Sequence, residues 1–75
     1  MATKYNININ GLRPFDVKVK YRTTKNKNGY QEVKVEAKNG RTAGFEAQKL
    51  VKKQPQVKSA KWLYAIDRTD GTIHY

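Results

Sequence analysis

The chain has 75 residues, no cysteine, and sixteen Lys+Arg against six Asp+Glu, a formal charge of +10. This length holds one small domain, residues 1–75, and a domain of that size buries roughly 60% of its unfolded surface, so its core is thin. The composition excludes a disulfide framework and a thiolate metal site, and no stretch approaches the roughly 20 apolar residues of a membrane helix.

Residues 4–10, KYNININ, alternate strictly: Tyr5, Ile7 and Ile9 fall on one face, Asn6, Asn8 and Asn10 on the other. The period predicts a strand although asparagine is a poor strand former. Gly11 to Pro14 turns the chain. Residues 15–23 predict a second strand, with Val17, Val19 and Tyr21 inward and Lys18, Lys20 and Arg22 outward. Residues 30–37 predict a third, with Val33, Val35 and Ala37 inward and Glu32, Lys34 and Glu36 outward.

The faces constrain the turns. A two-residue turn on Asn28-Gly29 would set Arg22 opposite Val35, a charge on the apolar face. A three-residue loop, Lys27-Asn28-Gly29, sets Tyr21 opposite Val35 and Lys20 opposite Glu36, with Gly29 free to take the left-handed position. Between the first two strands the same parity pairs Ile9 with Val17 and Ile7 with Val19. An antiparallel meander follows.

Residues 38–44, KNGRTAG, read as a loop. A helix is expected from Gly44 or Phe45 to Gln54, with Ala47, Leu50, Val51 and Gln54 on its apolar side, Glu46 near its start and lysines near its end, as the helix dipole prefers. Pro55 stops it. The last segment, VKSAKWLYAIDRTDGTIHY, reads as a hairpin on an Asp70-Gly71 turn, with Ile66 opposite Tyr75 and Arg68 opposite Ile73. Trp62, Tyr64 and Ile66 share one face. Leu63 and Ala65 make the other apolar too, which calls for cover on both sides or for a partner, such as a second copy docked through this hairpin. The expected class is α+β, in the order βββαββ, with an antiparallel sheet packed on one helix.

Catalysis is not expected. His74 is the only histidine, at the penultimate position, where a chain end frays, and a single histidine without cysteines cannot complete a metal site. Asp67 and Asp70 flank a turn and shape it. No cofactor is implied, because Gly40 and Gly44 lack the Lys-Ser/Thr ending of a phosphate-binding loop.

The basic strand face is the candidate site. Lys18, Lys20 and Arg22 recur about 7 Å apart along one strand, a spacing similar to that of phosphates along DNA. Lys25 and Lys27 extend the row at the hairpin tip, Lys34 lies on the neighbouring strand, and Asn6 and Asn8 offer the donor-acceptor pairs that read adenine. Twelve lysines against four arginines favour phosphate contact over base reading. Glu32 and Glu36 dilute this field. Lys49, Lys52, Lys53, Lys58 and Lys61 form a second basic cluster. Tyr30, Trp62, Tyr64 and Tyr75 are rings on which single-stranded bases stack if they are exposed; Trp62 is expected in the core.

Three strands followed by a helix, with the stretch GRTAGFEAQKL, resemble the strand-to-helix passage of plant AP2 domains and of integrase arm-binding domains. The resemblance implies DNA contact through the sheet, and no individual residue is carried over from it.

A field of this sign attracts polyanions. The expected function is a small non-enzymatic nucleic-acid-binding protein, with duplex DNA ahead of RNA. The alternative is a modulator or inhibitor that docks on an acidic protein or a nucleoprotein surface. The lysine- and asparagine-rich, cysteine-free composition suits a phage or mobile-element protein in a bacterial or host-cell cytoplasm. MATKYNININGLR has no apolar run long enough for a signal peptide, and neither end carries a lipidation motif.

Overall fold

The structure is a computed structural model that describes residues 11–75. The strand expected at 4–10, and with it Asn6 and Asn8, lies outside those residues. The described chain runs β1 (Arg13–Thr23), β2 (Asn28–Ala37), α1 (Gly40–Lys52), β3 (Val57–Asp67) and β4 (Ile73–His74). The strands form one antiparallel sheet in the order β2-β1-β3-β4, and α1 covers one face. The expected α+β architecture is present.

Binary pattern explains which face is covered. Phe15, Val17 and Val19 of β1 are fully buried, and they join Ala37, Ala43, Ala47, Val51, Val57 and Ala65 in one core. Their even-numbered neighbours Lys18, Lys20 and Arg22 stand on the opposite face, which is open among the described residues. β1 is the central strand, with β2 along one edge and β3 along the other. Val17 therefore has Val33 and Ala65 as its cross-strand partners, and Val19 has Gln31 and Trp62, in place of the expected Ile9 and Ile7.

The β1–β2 loop differs from expectation. Lys20 faces Tyr30 rather than Glu36, and Tyr21 faces Gly29 rather than Val35, a slip of six residues. Six is even, so every side chain keeps its expected face. The loop is Thr24-Lys25-Asn26. Asn26, not Gly29, takes the left-handed position with φ 65°, and its N–H donates to the Thr23 carbonyl at 2.9 Å. The Thr23 hydroxyl also accepts from the Lys25 and Lys27 amides at 3.3 and 3.1 Å. This is a type I turn closed by a left-handed residue, in which asparagine substitutes for glycine.

The helix starts four residues earlier than expected. Asn39 has extended backbone, and its side chain accepts from the Thr42 amide at 2.8 Å, a regular N-cap. Gly40 and Gly44 are not breakers here. They lie on the sheet-facing stripe with Ala43, Ala47 and Val51. A Cβ on Gly44 would run into the Trp62 ring, and one on Gly40 into His74. Small residues thus let the helix axis approach the sheet. Leu50, expected in the core, is 47% exposed. Glu46 falls past the first turn, which holds no acidic residue, whereas Lys49 and Lys52 do occupy the last turn.

β3 contains the feature that the alternating pattern hides. Lys18 pairs with Tyr64 and Val19 with Trp62, so Leu63 is an extra residue in a β-bulge. The Trp62 N–H, turned out of the ladder, donates to the Gln48 side chain of α1 at 3.0 Å. The bulge separates residues that the sequence places on one face: Trp62 packs on the helix side, while Tyr64 and Ile66 stand on the open side.

The final hairpin has a four-residue loop, 68–71, in place of the expected two-residue turn, with Ile66 opposite Ile73 rather than Tyr75. The Asp67 N–H donates to the Thr72 carbonyl and the Gly71 N–H to the Asp67 carbonyl, at 2.8 and 2.7 Å. Gly71 has φ 78°. The aspartates shape this loop, as expected. Asp67 accepts from the Thr69 amide and Asp70 from the Thr72 amide, at 2.8 and 2.9 Å. His74 is a half-buried strand residue whose ring meets Phe15 edge-on at 6.0 Å.

Candidate nucleic-acid interface

The open face of the sheet divides into two chemically different halves. Toward the end near 13–16, Asp16 is nearly buried, accepts a hydrogen bond from Arg68 Nη1, and lies 3.9 Å from Lys34 Nζ. Lys34, a predicted phosphate contact, therefore stands among carboxylates, with Asp16 across the strand pair and Glu32 and Glu36 two residues away on its own strand. On the helix side of the sheet at the same end, Arg13 donates to the buried Asp67 at 2.7 Å. Burial pushes the Asp67 carboxyl up. Hydrogen bonds from the Thr69 hydroxyl, the Thr69 amide and Arg13 outweigh it, and the net shift is below the ordinary aspartate value.

Toward the β1–β2 loop the balance disappears. Lys20 of β1 stands directly opposite Lys61 of β3, and Arg22 opposite Ser59, two residues further along on the same face. Lys20, Arg22, Asn28, Ser59 and Lys61 border a shallow depression. Lys25 and Lys27 are exposed at the adjoining tip. Among the described residues, no ion pair joins any of these cations to a carboxylate.

The expected row Lys18-Lys20-Arg22 is thus on one face. Lys25 and Lys27 adjoin it, and Lys34 lies on the same face, exposed, beside Asp16. Sequence reasoning missed Lys61 as a member of this group and assigned it to the cluster that follows the helix. Its position depends on β1 pairing with β3 and on the bulge at Leu63. Lys49, Lys52 and Lys53 instead border a separate hollow with Gln48 and Ala60.

Rings interleave with these cations. Tyr30 is 59% exposed, and Lys18 Nζ sits 5.6 Å from its ring centre. Tyr64, half-buried, is the cross-strand neighbour of Lys18 on the other side, and its ring lies 6.5 Å from that of Tyr75. Ile66 and Ile73 continue an apolar strip away from the cations. Trp62, packed against the core and edge-on to Phe45 at 5.9 Å, is not a free platform.

Among the described residues, no group of His, Asp and Glu gathers to hold a metal ion, and no helix is long and apolar enough to cross a membrane. No protein-family model, no curated protein and no solved structure matches this chain. The resemblance to AP2 and integrase arm-binding domains does not extend to the sheet, because the strand that completes β1's second edge comes after the helix.

Proposed function

We propose that this chain is a non-enzymatic nucleic-acid-binding protein that grips phosphates with the cations of its open sheet face. The observation that supports this reading is the group Lys20, Arg22 and Lys61, brought together by strand pairing with no carboxylate ion pair among the described residues. Like charges opposite each other in a sheet are destabilising, and an anionic ligand relieves that repulsion. Lys18, Lys25 and Lys27 extend the grip. Each phosphate neutralised releases condensed counterions, so the affinity falls steeply with salt.

The test is fluorescence anisotropy with labelled 20-nucleotide DNA and RNA at 50 and 200 mM salt, for the wild type and for Lys20→Glu/Lys61→Glu. Salt-sensitive binding, lost in the double variant but kept in Lys49→Glu/Lys53→Glu, supports the reading. Absence of binding at 50 mM salt overturns it.

A protein-docking role is the second reading, favoured by Ile73 at 47% and Tyr75 at 87% exposure beside Ile66 and Tyr64. Such an interface rests on a few apolar anchors and persists in salt. Sedimentation of the wild type and of Ile73→Ser at 0.5 M salt reads a self-associating version of it directly.

A further inference from the structure

We infer that the nucleic acid taken by this face is single-stranded, with unpaired bases stacked on Tyr30 and Tyr64 while Lys20, Arg22 and Lys61 hold the phosphates. This inference rests on the nucleic-acid reading above and names the ligand class of the same surface.

The rings and the cations share one face because of the bulge. In an unbroken β3, Tyr64 would follow Trp62 onto the helix side. The extra residue, Leu63, moves Tyr64 to the open face beside Lys18. Tyr30 reaches the same face from β2, opposite Lys20. The two tyrosines therefore stand diagonally across the central strand. With strand spacing near 4.8 Å and a rise near 3.4 Å per residue, they are about 12 Å apart, with Lys18 between them. Neither ring is enclosed by the core. Tyr30 is 59% exposed, and the Lys18 ammonium lies over its face, 5.6 Å from the ring centre. An aromatic residue held open on a sheet, flanked by lysines, gains most from a second flat ring.

A duplex cannot supply that ring, because its bases are stacked inside. It would meet Tyr30 and Tyr64 only with its sugar-phosphate rim. The two rings stand on the strands that flank the cations, Tyr30 on β2 and Tyr64 on β3, so a duplex docked on the lysines meets them as obstacles rather than as partners. Glu32, the cross-strand neighbour of Lys18, further interrupts any continuous track for duplex phosphates. A single strand avoids these obstacles. Its bases splay onto rings and its backbone bends around an isolated carboxylate. The combination of a cationic groove with sequence-tolerant stacking predicts little base preference.

The experiment compares labelled oligo-dT and oligo-U of 20 nucleotides with a 20-base-pair duplex, by anisotropy at 50 and 200 mM salt. The proteins are the wild type, Tyr30→Ala, Tyr30→Phe, Tyr64→Phe and Lys20→Glu/Lys61→Glu. The expected result is single-strand binding at least 10-fold tighter than duplex binding. Tyr30→Ala weakens only the single strand, by about 10-fold. Tyr30→Phe and Tyr64→Phe, which keep the ring, stay within about 2-fold. Lys20→Glu/Lys61→Glu weakens every ligand. Duplex binding as tight as single-strand binding, or loss in Tyr30→Phe equal to that in Tyr30→Ala, overturns the stacking inference and leaves the phosphate grip standing. Absence of binding to all three probes at 50 mM salt overturns both. The oligo-dT and oligo-U arms separate DNA from RNA.

Discussion

Lys20 and Lys61 face each other as cross-strand neighbours on the open side of the sheet, two like charges at a position where an opposite pair would stabilise the fold. Repulsion of this kind costs about 0.2–1 kcal/mol. Lys61→Glu is expected to raise stability in urea unfolding at low salt by a few tenths of a kcal/mol or more. The gain should shrink at 1 M salt, where the screening length falls to about 3 Å. The same variant is expected to bind nucleic acid more weakly. Greater stability with weaker binding marks a charge kept for a ligand. A loss of stability in Lys61→Glu would mean that the lysine stem packs in a way that the charge argument neglects.

Asp67 gives the fold an acid limit. Its carboxyl is almost fully buried and accepts from Arg13 and Thr69. Its pKa lies below the ordinary value, because those hydrogen bonds outweigh the opposing effect of burial. A group with a depressed folded pKa contributes stability in full above its unfolded pKa, near 4, and loses it as pH falls through the folded value. Unfolding free energy measured from pH 7 to pH 2 should therefore drop more steeply below about pH 4 in the wild type than in Asp67→Asn. At pH 7 the Asn variant is expected to be less stable by about 1–3 kcal/mol, having lost a charge-assisted partner for Arg13. Parallel curves for the two proteins below pH 4 would assign the acid sensitivity to other carboxylates.

The elements that the sequence makes legible are those written in period-2 alternation over long runs. Val17-Lys18-Val19-Lys20 fixes the two faces of β1, and Val33-Lys34-Val35-Glu36 those of β2. This survives even though the loop between them lies three residues earlier than expected, since the resulting slip of register, six residues, is even and leaves every face intact. Departures arise where one residue breaks a period. Leu63 is indistinguishable in sequence from an in-register strand residue, yet as a bulge it sends Trp62 and Tyr64 to opposite faces. Lys61 joins the candidate site only once β3 is paired with β1 across the intervening helix, a non-local contact that no local pattern encodes. Gly40 and Gly44 read as loop because glycine is a weak helix former. Their use becomes visible only when His74 and Trp62 are seen above them. The lysine row was legible, and Tyr30 and Tyr64 were legible as candidate rings; that Tyr64 stands on the open face beside Lys18, apart from Trp62, was not.

The turn at residues 24–26 offers a separable test of backbone strain. Asn26 has φ 65°, where a Cβ is disfavoured and asparagine is among the few side chains tolerated. Asn26→Gly is expected to leave stability unchanged within about 0.5 kcal/mol or to raise it slightly. Asn26→Val, β-branched, should cost about 1–2 kcal/mol. Equal thermal midpoints for the Gly and Val variants would show that the left-handed conformation is not required there. Gly29, which the two-residue and three-residue turn rules both point to, sits inside β2 beneath the Tyr21 ring instead. Its replacement by alanine acts through that contact rather than through φ.

The close approach of α1 to β3 sets two effects of one substitution against each other. Gly44→Ala gains about 0.8–1 kcal/mol of helix propensity. It also places a methyl so close to the Trp62 ring that the ring or the helix must shift. Trp62 is fixed from two sides: its backbone amide donates to Gln48 of the same helix at 3.0 Å, and its ring meets Phe45 edge-on. Overpacking of a well-filled site costs about 1–3 kcal/mol, so the net expectation is destabilisation of up to about 2 kcal/mol. The change also tests the bulge, because a displaced Trp62 disturbs the register that turns Tyr64 outward. Tryptophan fluorescence in Gly44→Ala should shift to the red as the ring moves toward solvent, and nucleic-acid binding through Tyr64 should weaken even though no cation has been touched. If Gly44→Ala unfolds at the same or higher urea concentration with an unchanged spectrum, the helix does not press on Trp62, and the small-residue stripe owes its composition to something other than that contact.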